Sequence, residues 1–481
     1  MNLQTTLEIL YILVLIGFTI KIIDDSKKPS KAAAYILLIF ALPVIGIIIY
    51  LSVGLNYRKS EIYSKKLKID EEQSVKLTTF LNQYISTTKQ SFDNKFSNYI
   101  GLNTMLFQDH RSLATVNNQL KILTNGEGKF PELFKAIRNA KHHIHVEYYI
   151  FNDDEIGNEF AELLIEKAKE GIKVRFIYDD FGSLKIRKKL VPRMIENGVE
   201  AYAFYKITFI FLANRMNYRN HRKIVIVDGK KAFVGGINVS DQYVNKEGNL
   251  VFWRDTHLMI EGEAVNTLQK IFFGDWNYCA NQNLTPTSDY FKPHKTVENG
   301  KWVQISASGP DSKFPSILFS YLQILSIAKK DVFITTPYLI PSQELIYAMN
   351  MAILRGVKIK ILIPEKSDSR IVNTVCKSYF TVLLEMGVEL YLYQKGFIHA
   401  KTLVCDDDFA VIGTANLDHR SFDLNFEVNA NVYDQEIANE LKAMFYEDLQ
   451  FTKKLELEEW EKRGKGIQMI EKALRIVAPL M

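Results

Sequence analysis

The sequence predicts an α/β protein of two similar halves behind a membrane-inserting amino end, and three observations predict it. The first 55 residues are far more apolar than the rest. Alternating strand-like and helix-like segments begin near Phe134 and restart after Lys329. One polar pattern, His-x-Lys-x-x-x-x-Asp, stands once in each half, as His221, Lys223 and Asp228 and as His399, Lys401 and Asp406.

Within the amino end, Leu7 to Ile23 is nearly all apolar and Ala32 to Val53 carries no charge. Each is close to the ~20 residues that a bilayer-crossing helix needs. No Lys or Arg precedes Leu7, which argues against a cleaved secretory leader, so residues 1–60 read as two transmembrane helices. Lys27, Lys28 and Lys31 in the connecting turn compete with Arg58, Lys59, Lys65, Lys66 and Lys68 after the second run. The larger cluster favours a cytoplasmic catalytic part. Residues 61–109 read as a juxtamembrane linker.

The first half spans 110–283. His143 to Phe151 has strand periodicity, Ile156 to Lys169 helical spacing, and Lys173 to Asp179 is again strand-like. The second half, 284–481, repeats the order with a strand at Asp331 to Thr336, a helix from Ser342 to Arg355 with Ser342 as N-cap, and a strand at Val357 to Pro364. Gly171 and Gly356 stand at equivalent helix ends, where a left-handed residue is expected. The period-free segment Asn281 to Gly300 links the halves, which are expected to face one another across a pseudo-two-fold axis. An amphipathic tail follows, with Ile467, Ile470, Leu474 and Val477 at helical spacing. It suits either anionic lipid or packing on the core. Phe204 to Tyr218, dense in aromatic residues, is an acyl-chain entrance or a core strand with its loop.

The chemistry repeats along with the apolar pattern. Each histidine is followed seventeen residues later by an asparagine, Asn238 and Asn416. Two imidazoles on opposite walls suit displacement at a phosphodiester, one attacking phosphorus and the other protonating the leaving oxygen. His and Lys at i and i+2 at the edge of a strand share a face, so each lysine can meet the phosphate that its histidine meets. Asn238 and Asn416 add neutral donors, and no metal or other cofactor is required. A carboxylate on the second ring nitrogen fixes the tautomer. Asp255 and Glu427, each at the start of the next strand-like run after a motif, are the expected orienting groups. Asp228 and Asp406 are counted with the catalytic set as braces of the loop and lysine rather than substrate contacts, or as ordinary turn aspartates. His142, His143 and His145 lack further ligands in the pattern. They read as a half-exposed strand, with adjacent rings on opposite faces and Glu147 near the site.

The duplicated motif resembles that of the phospholipase D superfamily. Its second copy runs from His399-Ala-Lys401 through Gly413-Thr-Ala-Asn416 to Glu427, and its first from Asn220-His-Arg-Lys223 through Gly235-Gly-Ile-Asn238. With the apolar amino end, the chain looks like the bacterial cardiolipin synthase branch. The resemblance implies two phospholipase D-like repeats. It also implies reversible transfer of a phosphatidyl group between two phosphatidylglycerol molecules, yielding cardiolipin and glycerol through a phosphohistidine. The family's usual order makes His221 the nucleophile and His399 the acid.

Composition narrows the alternatives. The 481-residue chain is 47% hydrophobic, which argues against disorder. A net charge of +5 suits an anionic membrane surface but falls short of the basic stripe and aromatic platform of a nucleic-acid binder. Cys279, Cys376 and Cys405 are scattered, which fits a reducing compartment. A hydrolytic phospholipase D-type phosphodiesterase differs only in using water to resolve the intermediate.

Overall fold

The protein was analysed as a computed structural model that describes residues 2–25, 29–51, 68, 71–72, 75, 90–206, 218–248, 251–292, 294, 296–476 and 478. In the first half, strands β1 (Thr115–Thr124), β2 (His143–Tyr148), β3 (Lys173–Asp179), β4 (Glu200–Phe204), β5 (Ile224–Val227), β6 (Lys231–Gly235), β7 (Phe252–Arg254) and β8 (Thr256–Gly262) alternate with helices. The second half contributes β9 (Lys301–Ser308), β10 (Asp331–Thr335), β11 (Lys358–Pro364), β12 (Glu389–Tyr393), β13 (Gly396–Ile398), β14 (Thr402–Cys405), β15 (Phe409–Gly413), β16 (Glu427–Tyr433) and β17 (Thr452–Lys454).

All but β7 and β13 join one sheet, in the order β4, β3, β2, β5, β6, β8, β1, β9, β16, β15, β14, β10, β11, β12, β17. Apart from the edge strand β17, the order is palindromic about the β1/β9 pair, so each strand of the first wing has a counterpart in the second. β1 and β9 run antiparallel, with Thr115 opposite Val303 and Asn118 opposite Lys301. An antiparallel pair is related by a two-fold, so the pseudo-symmetry axis passes between these strands. The outer strands β2, β3, β4 and β10, β11, β12 are parallel, joined by helical crossovers, and β2, β3 and β10 are largely buried while β4 at the edge buries only Phe204. The sheet coils so that β6 and β8 touch β15 and β16. Ile224, Ile226 and Leu258 of the first half thereby share one core with Val404, Ile412 and Val428 of the second.

The two predicted helix ends match in detail. Gly171 (φ +85°) and Gly356 (φ +90°) adopt left-handed backbone. Gly171 N–H donates to Ala168 O and Ile172 N–H to Lys167 O, and the second half repeats this with Gly356 to Ile353 and Val357 to Ala352. Ser342 does stand at an N-cap, but its hydroxyl makes no capping bond.

Three expectations change. Leu3–Asp25 is a single helix long and apolar enough to cross a membrane, the one such helix among the described residues. The second apolar run breaks into Pro29–Ala41 and Pro43–Ile49. Pro43 disfavours helical backbone at Leu42 (φ −138°, ψ 75°), and Gly46 then packs against Ile39. Thirteen helical residues reach only about 20 Å, short of the ~30 Å hydrocarbon core.

Strand β2 is buried on both faces rather than half-exposed. His142 lies just before it, so its Nδ1 meets His143 Nδ1 at 2.7 Å instead of pointing away. His143 and His145 contact Gln269, and Arg175 reaches His145, which makes these histidines core polar groups.

The tail helix Lys465–Arg475 docks through Leu474 and through buried Glu471, which Arg463 holds at 2.6 and 2.9 Å, while Ile467, Met469 and Ile470 stay exposed. Val477, residues 207–217 of the candidate acyl entrance, Lys27, Lys28 and most of the 52–89 stretch lie outside the described residues.

Candidate active site

The two motif copies meet where the wings face each other. His221 and Lys223 sit in the irregular segment leading into β5, and His399 and Lys401 in the one leading into β14. The strands proper begin after the lysines. Each lysine turns back on its own motif, Lys223 Nζ donating to His221 O at 2.7 Å and Lys401 Nζ to His399 O at 2.5 Å. This fixes the loop and leaves ammonium hydrogens for an anion.

The orienting carboxylates cross between the halves. His221 Nδ1 lies 2.9 Å from Glu427 Oε2, and His399 Nδ1 lies 2.7 Å from Asp255 Oδ2. Chain order suggests the opposite pairing, because Asp255 follows His221 and Glu427 follows His399. Short strand contacts between the halves explain the exchange. β13 pairs in parallel with β7, and His399 N–H donates to Arg254 O, which delivers the next residue, Asp255, to the ring. Asn220 likewise bridges Phe426, and His221 N–H donates to Phe426 O, presenting Glu427. Both Nε2 atoms remain available to a substrate.

The carboxylates are themselves held. Thr414 Oγ1 donates to Glu427 Oε2 at 2.5 Å, and Thr256 N–H donates to Asp255 Oδ1 at 2.7 Å. Gly236 is required beside Asp255, since a Cβ there would lie 2.1 Å from its Oδ1.

Burial and charge set the proton states. Burial lowers His221 and takes His399 down to about 4, with Lys401 adding to the effect on His399. Burial also brings Lys223 down to about 7 and Lys401 to about 8. It opposes ionisation of Glu427 and Asp255 as well, yet the adjoining histidines and lysines hold both carboxyls below their ordinary values. The free site therefore holds neutral imidazoles, anionic carboxylates and lysines that lose their charge readily.

The asparagines are less uniform. Asn238 is buried, its Oδ1 accepting from Ile150 N–H and its Nδ2 donating to Tyr243 Oη. Asn416 is buried, and its Oδ1 has no hydrogen-bond partner among the described residues. Glu147 stops one residue short of the histidine by accepting from Asn220 Nδ2. Burial, with Asp275 next in effect, raises its carboxyl well above the ordinary range.

Asp228 and Asp406 do not brace the lysines. Each follows its strand, on the order of 16 Å of extended chain beyond the Lys. Asp228 accepts N–H bonds from Lys141, His142 and His143, and Asp406 from Lys329, Lys330 and Asp331. Both take left-handed backbone, φ +55° and +53°, at the turn. Asp228→Ala or Asp406→Ala is expected to cost about 1–3 kcal/mol through the stranded amides, a fall of a few degrees in Tm. Turnover per folded molecule should fall far less than for a histidine variant. Melting curves alongside activity normalised to folded protein check this.

Tyr149, whose ring centroid lies 5.0 Å from that of His221, and Trp253, 5.3 Å from His399, flank the imidazoles. Tyr149 carries no site signal in the sequence, because an aromatic residue at a strand end looks like core.

Comparison with known proteins agrees with this geometry. The family described as "Cardiolipin synthase, PLD-like domain" matches residues 133–276 and 321–449, one segment in each half. A cardiolipin synthase of Geobacillus sp. (strain WCH70) is 39% identical over 97% of this chain and 92% of its own length. The major cardiolipin synthase of Bacillus subtilis (strain 168) is 38% identical over 99% and 98%. Among solved structures, phosphatidylserine synthase of Haemophilus influenzae Rd KW20 superposes with a TM-score of 0.61 at 16% identity, covering 79% of this chain and 99% of its own, a likeness of fold. With a match in each half and relatives similar along nearly the whole chain, the protein belongs to the cardiolipin synthase family of phospholipase D-like proteins.

Proposed function

We propose that the site moves the phosphatidyl group of one phosphatidylglycerol to the terminal hydroxyl of a second, giving cardiolipin and glycerol. The observation that carries this is the crossed pairing, which leaves one Nε2 from each half for a single phosphate. His221 Nε2 attacks phosphorus, the bond to the glycerol oxygen breaks, and His399 gives that oxygen its proton. His399 then takes the proton of the acceptor hydroxyl, whose oxygen displaces His221. Lys223 and Lys401 bind the non-bridging oxygens, and Asn238 and Asn416 line the same phosphate. In the free site His399 is neutral. The donor's negative charge, arriving beside it, favours the imidazolium needed to protonate the leaving group.

The amino-terminal helices anchor the site at the cell membrane, where anionic lipid is both surface and substrate, with the catalytic part on the cytoplasmic face. Multi-pass insertion requires the two short helices within 29–49 to serve together as the second crossing. Labelled phosphatidylglycerol supplied to the membrane-embedded protein is expected to yield cardiolipin and glycerol. Phosphatidic acid alone would instead assign a hydrolase.

The lysines set the alkaline limb. As pH rises through about 7 Lys223 loses its proton, and through about 8 Lys401 does, so affinity for the anionic donor falls. The pH profile of kcat/KM for phosphatidylglycerol is expected to decline across that interval, whereas ordinary lysines would hold a plateau to about 10. A plateau reaching pH 9 would contradict this.

A further inference from the structure

The pseudo-symmetry fails at one place beside His221. Two residues before His399 stands Phe397, stacked near Trp253 and His399, whereas the matching position before His221 is Arg219. Arg219 is only 3% exposed, and its two terminal nitrogens have no hydrogen-bond partner among the described residues. The nearest carboxylate oxygen, of Asp179, is 3.9 Å away. Asp179 already accepts N–H bonds from Phe181, Gly182 and Asn220. Phe181, 41% exposed, lies under the guanidinium at 4.5 Å, against its face rather than its N–H edge.

A second arginine is asymmetric in the same way. Arg420 stands four residues after Asn416, where the first half has Gln242 after Asn238. Arg219 and Arg420 both act electrostatically on Tyr149, the ring against His221, and on each other. Arg219 thus keeps one carboxylate within ion-pair range, Asp179 at 3.9 Å, while its two terminal nitrogens have no hydrogen-bond partner among the described residues, donors that suit a further anion beside His221. The reaction brings two phosphodiesters together. The reacting one is served by the duplicated histidines and lysines, whereas the acceptor's own phosphate, one glycerol away, does not react and occurs on one side only.

We propose that Arg219, with Arg420 beside it, forms a second phosphodiester subsite that holds the unreacting phosphate of the acceptor lipid. This rests on the transfer reading above. A bidentate arginine-phosphate pair gives affinity and direction together, so it selects an acceptor that is itself an anionic lipid over water or a free alcohol.

The test uses the full-length, membrane-embedded protein with phosphatidylglycerol and labelled glycerol, following two products in one reaction. Incorporation of glycerol into phosphatidylglycerol uses the same donor and histidines but an acceptor without phosphate. Its oxygen takes the phosphatidyl group from His221 and its proton goes to His399. Arg219→Gln and Arg420→Gln are each expected to lower cardiolipin formation roughly ten- to a hundredfold more than glycerol exchange. Arg219→Lys should recover part of the loss through its retained charge. Equal loss of both products, or loss of neither, would overturn the subsite. Wild-type protein that releases only phosphatidic acid would instead overturn the transfer reading, and the subsite with it.

Discussion

Replacing His221 by alanine is expected to lower cardiolipin formation by roughly 10⁴-fold or more, because in the proposed mechanism His221 carries the phosphatidyl group. His221 is held on both sides, its backbone N–H on Phe426 O and its Nδ1 on Glu427, so a neighbouring side chain cannot take its place. His399→Ala is expected to fail differently. It removes the proton donor but leaves the nucleophile, so a donor with a p-nitrophenyl leaving group, which departs without a proton, should recover most of the first step. Steady-state turnover on phosphatidylglycerol and burst kinetics on the activated diester separate the two. Equal behaviour of both variants on the activated diester would remove the division of roles.

The crossed carboxylates give the second large effect. Glu427→Gln and Asp255→Asn are each expected to cost about 10²–10⁴ in turnover, since an amide cannot stabilise the imidazolium and favours the wrong tautomer. The pattern is more telling than the size. Glu427 serves His221, so Glu427→Gln should resemble His221→Ala and remain slow on the activated diester. Asp255 serves His399, so Asp255→Asn should be rescued by the good leaving group. Pairing within each half predicts the reverse assignment. For the same reason, neither half alone contains a complete histidine-carboxylate pair.

Much of this fold was legible in the chain because the apolar pattern is written twice. Glycine at 171 and 356, the strands at 173–179 and 358–364 and the duplicated histidines all follow local rules of backbone conformation and side-chain periodicity. The crossing of Asp255 and Glu427 was not legible. It depends on β7 lying against β13 and on Asn220 bridging Phe426, contacts between segments that are distant in sequence. The motif aspartates were legible as turn residues, since Asp228 and Asp406 each follow an apolar strand. That they tie backbone amides of the preceding segment rather than the lysine depends on contacts distant in sequence. The break in the second apolar run rests on one residue, Pro43, which composition counts as harmless and backbone sterics do not. Arg219 carried no sequence signal as a site residue. Its meaning comes from buried terminal nitrogens with no hydrogen-bond partner among the described residues, together with the Phe that replaces it in the other half.

The central claim is that two halves make one site through which the phosphatidyl group passes on His221. Rapid acid-free quenching of the full-length protein with labelled phosphatidylglycerol, followed by peptide mapping, tests it most directly. The expected result is a phosphatidyl adduct on the peptide containing His221, accumulating further in His399→Ala with an activated donor and absent in His221→Ala. An adduct on His399, or full turnover with no adduct on either histidine, would contradict it.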